Sequence, residues 1–119
     1  MSDYPKHIKR LLREYAAQAY ERELHRELAR LDQAFAEWRA GEIGSGELSQ
    51  RIHQYETGPS RELFKRYNQG ELALNVAYAV VTGILKEGEV AAELLAVIQR
   101  PLDFYRKLKE EGDLRMPGE

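Results

Sequence analysis

The sequence predicts an all-α protein, a helical bundle of about five segments that begins with one very long helix. Alanine, leucine, glutamate and arginine, which all favour helices, dominate the composition. No window alternates apolar and polar residues over more than a few positions, and the Asn-Gly and Asp-Gly pairs typical of β-hairpins are missing. Glycine and proline fall in a few clusters that separate the helical segments. A chain of 119 residues suffices for one domain with its own core.

The first helix is predicted over residues 5–40, because Pro5 suits a first helical turn and Gly41 suits a C-terminal stop. At roughly 1.5 Å per residue this helix is about 50 Å long, well beyond the ~30 Å width of a small domain. Its apolar residues step by three and four in two different phases, which predicts two successive packing surfaces. The first phase comprises Ile8, Leu12, Tyr15 and Ala19, and the second comprises Leu24, Leu28, Leu31, Phe35 and Trp38.

The rest of the chain predicts shorter helices. Two of them, over about 46–56 and 59–68, are separated by a turn at Thr57-Gly58-Pro59. A helix over about 71–86 is apolar nearly all round, which predicts a position at the centre of the bundle. A last helix over about 89–111 should kink at Pro101, and residues 112–119 should fray.

Composition and charge exclude several classes of function. Lys+Arg number 18 and Asp+Glu number 20, so no overall field favours nucleic acid or an anionic membrane. The most apolar stretch, over 72–85, is too short for the roughly 20 residues that span a bilayer, so no membrane partner is expected. The absence of cysteine removes disulfides and thiolate metal sites and suits a reducing compartment, which predicts a cytoplasmic location.

Enzymatic chemistry finds no support in the sequence motifs. No Gly-x-Ser-x-Gly element places a nucleophile at a strained turn, and no glycine-rich loop ending in Gly-Lys is present to hold phosphate. Helical metal centres that use carboxylates need repeated Glu-x-x-His elements, which are also missing. The sequence therefore predicts no catalytic residue, no metal ligand and no cofactor.

One corner of the chain, residues 53–68, concentrates functional side chains. If a helix begins near Ser60, its free N–H groups together with Arg61 favour a small anion such as a phosphate or carboxylate. The ligand-binding candidates on this hypothesis are His53, Tyr55, Arg61 and Tyr67. The alternative is a structural corner in which Ser60 caps the helix and the aromatic residues pack inward.

Nucleic-acid binding through the same region is the first alternative function, ahead of the small anion. The helices over 46–56 and 59–68 have the outline of a helix-turn-helix unit, with Arg61, Lys65 and Arg66 available to contact nucleic acid. Glu62 among these residues and the near-neutral charge of the chain count against nucleic-acid binding.

The preferred functional prediction is a non-enzymatic interaction module that forms a homodimer or binds another protein. The first helix is longer than any core that this chain can build, yet its apolar stripe continues to both ends. The interface candidates are Ile8, Leu12, Phe35 and Trp38. The alternative is that the other helices line up along the first and cover it completely in a monomer.

Overall fold

The computed structural model of the protein describes residues 4–119, and over this range it contains helices and no strands. The prediction of an all-α bundle with one long first helix is confirmed. The elements are α1 (Lys6–Arg39), α2 (Ser45–Tyr55), a π-helical turn (Glu56–Ser60), α3 (Arg61–Gln69), α4 (Leu72–Val81), a 3₁₀ turn (Glu87–Glu89), α5 (Ala92–Val97) and α6 (Gln99–Glu110).

The first half of α1 and all of α4 form the centre of the core. Val76 and Ala77 on α4 have no exposed surface, and the sequence-predicted central position of this helix agrees with its contacts to α1 and α6. α4 ends at Val81 rather than near residue 86, because Gly83 adopts a positive φ of 84° and turns the chain. Three residues of the first apolar phase, Ile8, Leu12 and Ala19, are buried in this core together with Ala16, and the fourth, Tyr15, is partly buried against it.

The predicted turn at Thr57-Gly58-Pro59 is wrong. The backbone of Tyr55, Ser60 and Arg61 is right-handed helical, so α2, the π-helical turn and α3 form one continuous helix, Ser45–Gln69, which we call the composite helix. A proline in a regular helix clashes with the carbonyl group four residues earlier. The wider π-helical turn gives the ring of Pro59 room beside the Tyr55 carbonyl, so the helix continues past the proline.

The C-terminal third also departs from the expected boundaries. The helix breaks at the buried Ile98, between α5 and α6. Pro101 lies in the first turn of α6, where a backbone N–H would have no carbonyl partner within the helix, so the lack of this N–H costs no hydrogen bond. Residues 112–119, predicted to fray, instead fold back over α1, α3 and α4, and the Tyr78 hydroxyl donates a hydrogen bond to the Arg115 carbonyl at 2.7 Å.

The segment between α4 and α5 is tied to α1 by two side chains. The Arg22 guanidinium donates to both carboxylate oxygens of Glu89, at 2.7 and 2.8 Å, and to the Ile84 carbonyl at 2.9 Å. The Tyr15 hydroxyl accepts a hydrogen bond from the Ala91 N–H at 3.0 Å. These contacts fix residues 84–91 against the middle of α1.

The ion pair between Arg22 and Glu89 predicts an acid-dependent loss of stability. The hydrogen bonds from Arg22 and from the Lys86 backbone lower the pKa of Glu89 from 4.5 to about 2 in the folded protein. The ionised Glu89 therefore contributes stability above pH 4.5, and this contribution disappears as the pH falls towards 2. Denaturant unfolding at neutral pH and near pH 3 should show a smaller acid-induced loss for Glu89→Gln than for the wild type. Glu110→Gln, an exposed change on α6, should behave as the wild type, and equal losses for all three proteins would contradict the prediction.

Candidate interaction surface

The second half of α1 and the composite helix form an antiparallel helical hairpin at one end of the molecule. The molecule measures 53 × 32 × 26 Å, and its long dimension matches the roughly 50 Å length of α1. Beyond Leu24, the described part of α1 has one buried apolar residue, Ala34, and in α2 only Leu48 is buried. The two buried apolar residues of α3, Leu63 and Tyr67, belong to the main core. The core that the hairpin builds for itself is therefore small.

One side of the hairpin is polar. Arg51 on the composite helix donates to Glu37 on α1 at 3.2 Å and is also bonded to Glu47. Further towards the core on the same side, Arg30, Glu62 and Arg66 line a cleft of about 210 Å³ between the two helices.

A buried charge network lies at the bottom of this cleft. Glu23 on α1 is 4% exposed and is held by Arg66 on α3, at 3.2 Å, and by the hydroxyl of Tyr67. Burial and the hydrogen bond to Glu23 raise the pKa of Tyr67, which keeps its hydroxyl a donor. The Arg66 guanidinium also stacks on the ring of Tyr78, 4.7 Å from its centre, and the ring of Tyr20 stacks on Tyr67 at 5.4 Å. The network therefore joins α1, α3 and α4.

The chain's own C-terminal segment closes the cleft. Met116, Pro117 and Gly118 form one wall, and the guanidinium groups of Arg26 and Arg30 both approach Gly118. Within residues 4–119 every buried side-chain nitrogen or oxygen has a hydrogen-bond partner. The buried Glu23 at the bottom of the cleft is therefore fully partnered within the chain.

The four predicted ligand-binding residues do not come together at one cavity. His53 and Arg61 are exposed, Tyr55 lines a shallow groove beside Leu31, and Tyr67 is buried against Glu23. The free helix start on which the anion hypothesis depended is also missing, because Ser60 and Arg61 lie inside the composite helix.

The helix-turn-helix outline is absent for the same reason. Residues 46–68 form one helix with no turn, so no second helix can be set at an angle to enter a groove of DNA. Of the three basic residues considered for phosphate contacts, Arg61 and Lys65 are exposed, whereas Arg66 is engaged by Glu23.

The other side of the hairpin is apolar on α1. Leu24, Leu28 and Phe35 are spaced by four and seven residues and so lie along one stripe, and Leu28 is 45% exposed. Glu37, which faces the polar side through Arg51, is two residues from Phe35 and hence about 200° away around the helix. The stripe therefore points away from the polar side.

The composite helix continues this apolar side with Ile52 and Phe64, which are 37% and 52% exposed. Ile52 follows Arg51 and lies about 100° further round, away from Glu37. The π-helical turn accommodates one extra residue. The twelve residues from Ile52 to Phe64 therefore make about three turns, for which a regular helix needs eleven residues. The two side chains therefore share one face. We call the set Leu24, Leu28, Phe35, Ile52 and Phe64 the apolar side of the hairpin.

The predicted interface residues divide between core and surface. Ile8 and Leu12 are each 3% exposed and lie in the chain's own core, so they are not part of a free surface in this fold. Phe35 is half-buried, and Trp38 is exposed at the tip of the hairpin, where its indole N–H donates to the Ser45 hydroxyl at 3.0 Å. Leu28 belongs to the stripe visible in the sequence, but the alignment of Ile52 with Phe64 depends on the π-helical turn and has no sequence signal that we can identify.

In the described part of the chain no helix is long and apolar enough to cross a membrane, and no three His, Asp or Glu side chains are placed to hold a metal ion. Comparison of the chain with family models, curated proteins and solved structures gave no match.

Proposed function

We propose that this protein is a self-associating helical module that pairs with a second copy through the apolar side of the hairpin. The observation that carries the proposal is the exposure of Leu28, Ile52 and Phe64 on one side of a hairpin that builds almost no core of its own. A contiguous apolar surface of this kind is typical of an interface, whereas singly exposed apolar residues are common on any protein. Trp38, which is also exposed, lies at the tip of the hairpin, and the remaining exposed large apolar residues of the described chain lie outside the hairpin: Leu74, Val97 and Phe104.

Two packed helices gain stability when further helices cover their open side. A four-helix bundle buries a shared apolar interior between helices that lie nearly antiparallel. Two hairpins that meet through their apolar sides supply four such helices, and a two-fold axis lets the same surface serve both copies. A cytoplasmic location belongs to the same proposal, since a chain without cysteine suits a reducing compartment.

Light scattering at micromolar concentration tests the proposal. The wild type should have twice the mass of one chain. Leu28→Glu should give a folded monomer, because each interface would have to bury a carboxylate without a partner. Ala29→Glu introduces the same charge at the next exposed position, which is about 100° away from the apolar side, and should remain dimeric.

Circular dichroism of each variant separates loss of association from loss of folding. A monomeric wild type over the whole concentration range, or a dimer that Leu28→Glu leaves intact, would overturn the proposal.

A further inference from the structure

We infer that the two copies pair antiparallel along α1, with the two-fold axis near residues 29 and 30. This inference rests on the proposed self-association and specifies its geometry. The second apolar phase of α1 alternates steps of four and three residues from Leu24 to Trp38, which is the spacing of a heptad seam. Such a seam covers itself when two helices lie side by side.

The seam is self-complementary in the antiparallel orientation. When Leu24 lies against Phe35 of the partner subunit, Leu28 falls against Leu31 of the partner subunit, and the same contacts recur by symmetry. The paired stretch runs from about residue 20 to residue 39, a length of roughly 30 Å. This register pairs large apolar residues in each of its central layers.

The charges beside the seam favour the same orientation. Glu21, His25, Asp32 and Arg39 are exposed, and none of them forms an ion pair or a side-chain hydrogen bond within residues 4–119. In the antiparallel register Glu21 lies near Arg39 of the partner subunit, and His25 lies near Asp32 of the partner subunit. A parallel pair would instead bring Glu21, which lies three residues before Leu24, near its own copy, and would place His25, Asp32 and Arg39 on opposite sides of the seam from their own copies, so that neither contact forms. Complementary charges at such flanking positions select the orientation of helix pairs.

The position of the composite helix supplies an independent reason. Ala34 and Glu27, which face the composite helix, lie one position before Phe35 and Leu28 and thus on a single flank of the seam. Antiparallel pairing brings this flank of each copy to the same side of the paired α1 helices. The two composite helices then lie next to each other, and Ile52 and Phe64 of each copy are covered. Parallel pairing places the composite helices on opposite sides and leaves these two residues in water.

Cysteine cross-linking tests the orientation, and the cysteine-free chain gives a clean background. Leu24→Cys and Phe35→Cys are prepared as separate proteins, mixed, allowed to exchange subunits and oxidised. The mixture should give a disulfide-linked dimer that contains one copy of each variant. Neither variant alone should cross-link efficiently, because each cysteine then faces a phenylalanine or leucine of the other copy. Efficient self-linkage of either variant alone would show a parallel or shifted pair and overturn the inference.

Charge exchange gives a second test that leaves the seam unchanged. Glu21→Arg and Arg39→Glu should each weaken dimerisation about tenfold, because every dimer contains the affected contact twice and like charges then meet. The double variant Glu21→Arg/Arg39→Glu should restore the wild-type dissociation constant, as measured by sedimentation equilibrium. Single variants that bind as tightly as the wild type, or a double variant without recovery, would overturn the antiparallel register.

These outcomes separate the inference from the proposed function. If the wild type is monomeric by mass, both the proposed function and the antiparallel arrangement are rejected. A dimer that is sensitive to Leu28→Glu but fails the cross-linking and charge tests keeps the proposed function and rejects only the antiparallel arrangement.

Discussion

Replacement of Val76 by aspartate is expected to abolish folding of the domain. Val76 lies on the central helix α4 and has no exposed surface, so the new carboxylate would be buried without a partner. The cost is several kcal/mol, against a total stability of about 5–15 kcal/mol for a domain of this size. Circular dichroism and thermal unfolding of the purified variant should show loss of the helical signal or of a cooperative transition.

Leu74→Asp is the matched control for this prediction. Leu74 lies on the same helix two residues earlier and is 36% exposed, so its carboxylate can reach water. The variant should fold, with a much smaller loss of stability than Val76→Asp. A cooperatively folded Val76→Asp protein would show that α4 is not at the centre of the core.

Arg66→Met is expected to destabilise the protein by roughly 2–3 kcal/mol. The substitution keeps much of the apolar side-chain length but leaves Glu23, which is 4% exposed, with the Tyr67 hydroxyl as its remaining partner. Loss of one partner of a fully buried ion pair costs about 3–5 kcal/mol. The lower value applies here because the side chain of Arg66 is 31% exposed and its charge is partly screened.

Denaturant unfolding at neutral pH measures this effect. Lys65→Met is the control, because Lys65 is exposed on the neighbouring position of α3 and should change the free energy of unfolding by less than about 0.5 kcal/mol. Equal stabilities for Arg66→Met and the wild type would show that the Glu23–Arg66 contact contributes nothing to the fold.

The parts of the fold that follow from periodicity were predictable. The two apolar phases of α1 correspond to its two environments, the core for Ile8 and Leu12 and the hairpin for Leu28 onwards, with Leu24 partly buried against the edge of the core. The nearly all-round apolarity of α4 likewise indicated its central position. In both cases the side chains alone determine which face must avoid water.

The breaks between helices were less predictable, because a helix can accommodate a proline in more than one way. At Pro59 the chain widens into a π-helical turn and continues, whereas near Pro101 the break occurs three residues earlier, at Ile98. In both places the proline disturbs the backbone at the carbonyl four residues earlier, Tyr55 or Val97, and local sequence does not distinguish the two outcomes.

The candidate surface was predictable only in part. An apolar stripe shows which residues need covering but not which element covers them, so Ile8 and Leu12 appeared as interface candidates although α4 and its neighbours bury them. The Glu23–Arg66–Tyr67 network was missed because its members are 43 and 44 residues apart in sequence and follow no motif.

The arrangement of contacts along α1 also has a consequence for the order of folding. The second half of α1 packs against residues that follow it closely, as in the contact between Glu37 and Arg51 across 14 residues. The first half depends on partners far along the chain, such as Glu89, which is 67 residues beyond Arg22. Local contacts form faster than distant ones because they close shorter loops. During synthesis all residues of the hairpin are therefore present before α4 to α6 exist, so its local contacts can form while the first half of α1 still awaits its core.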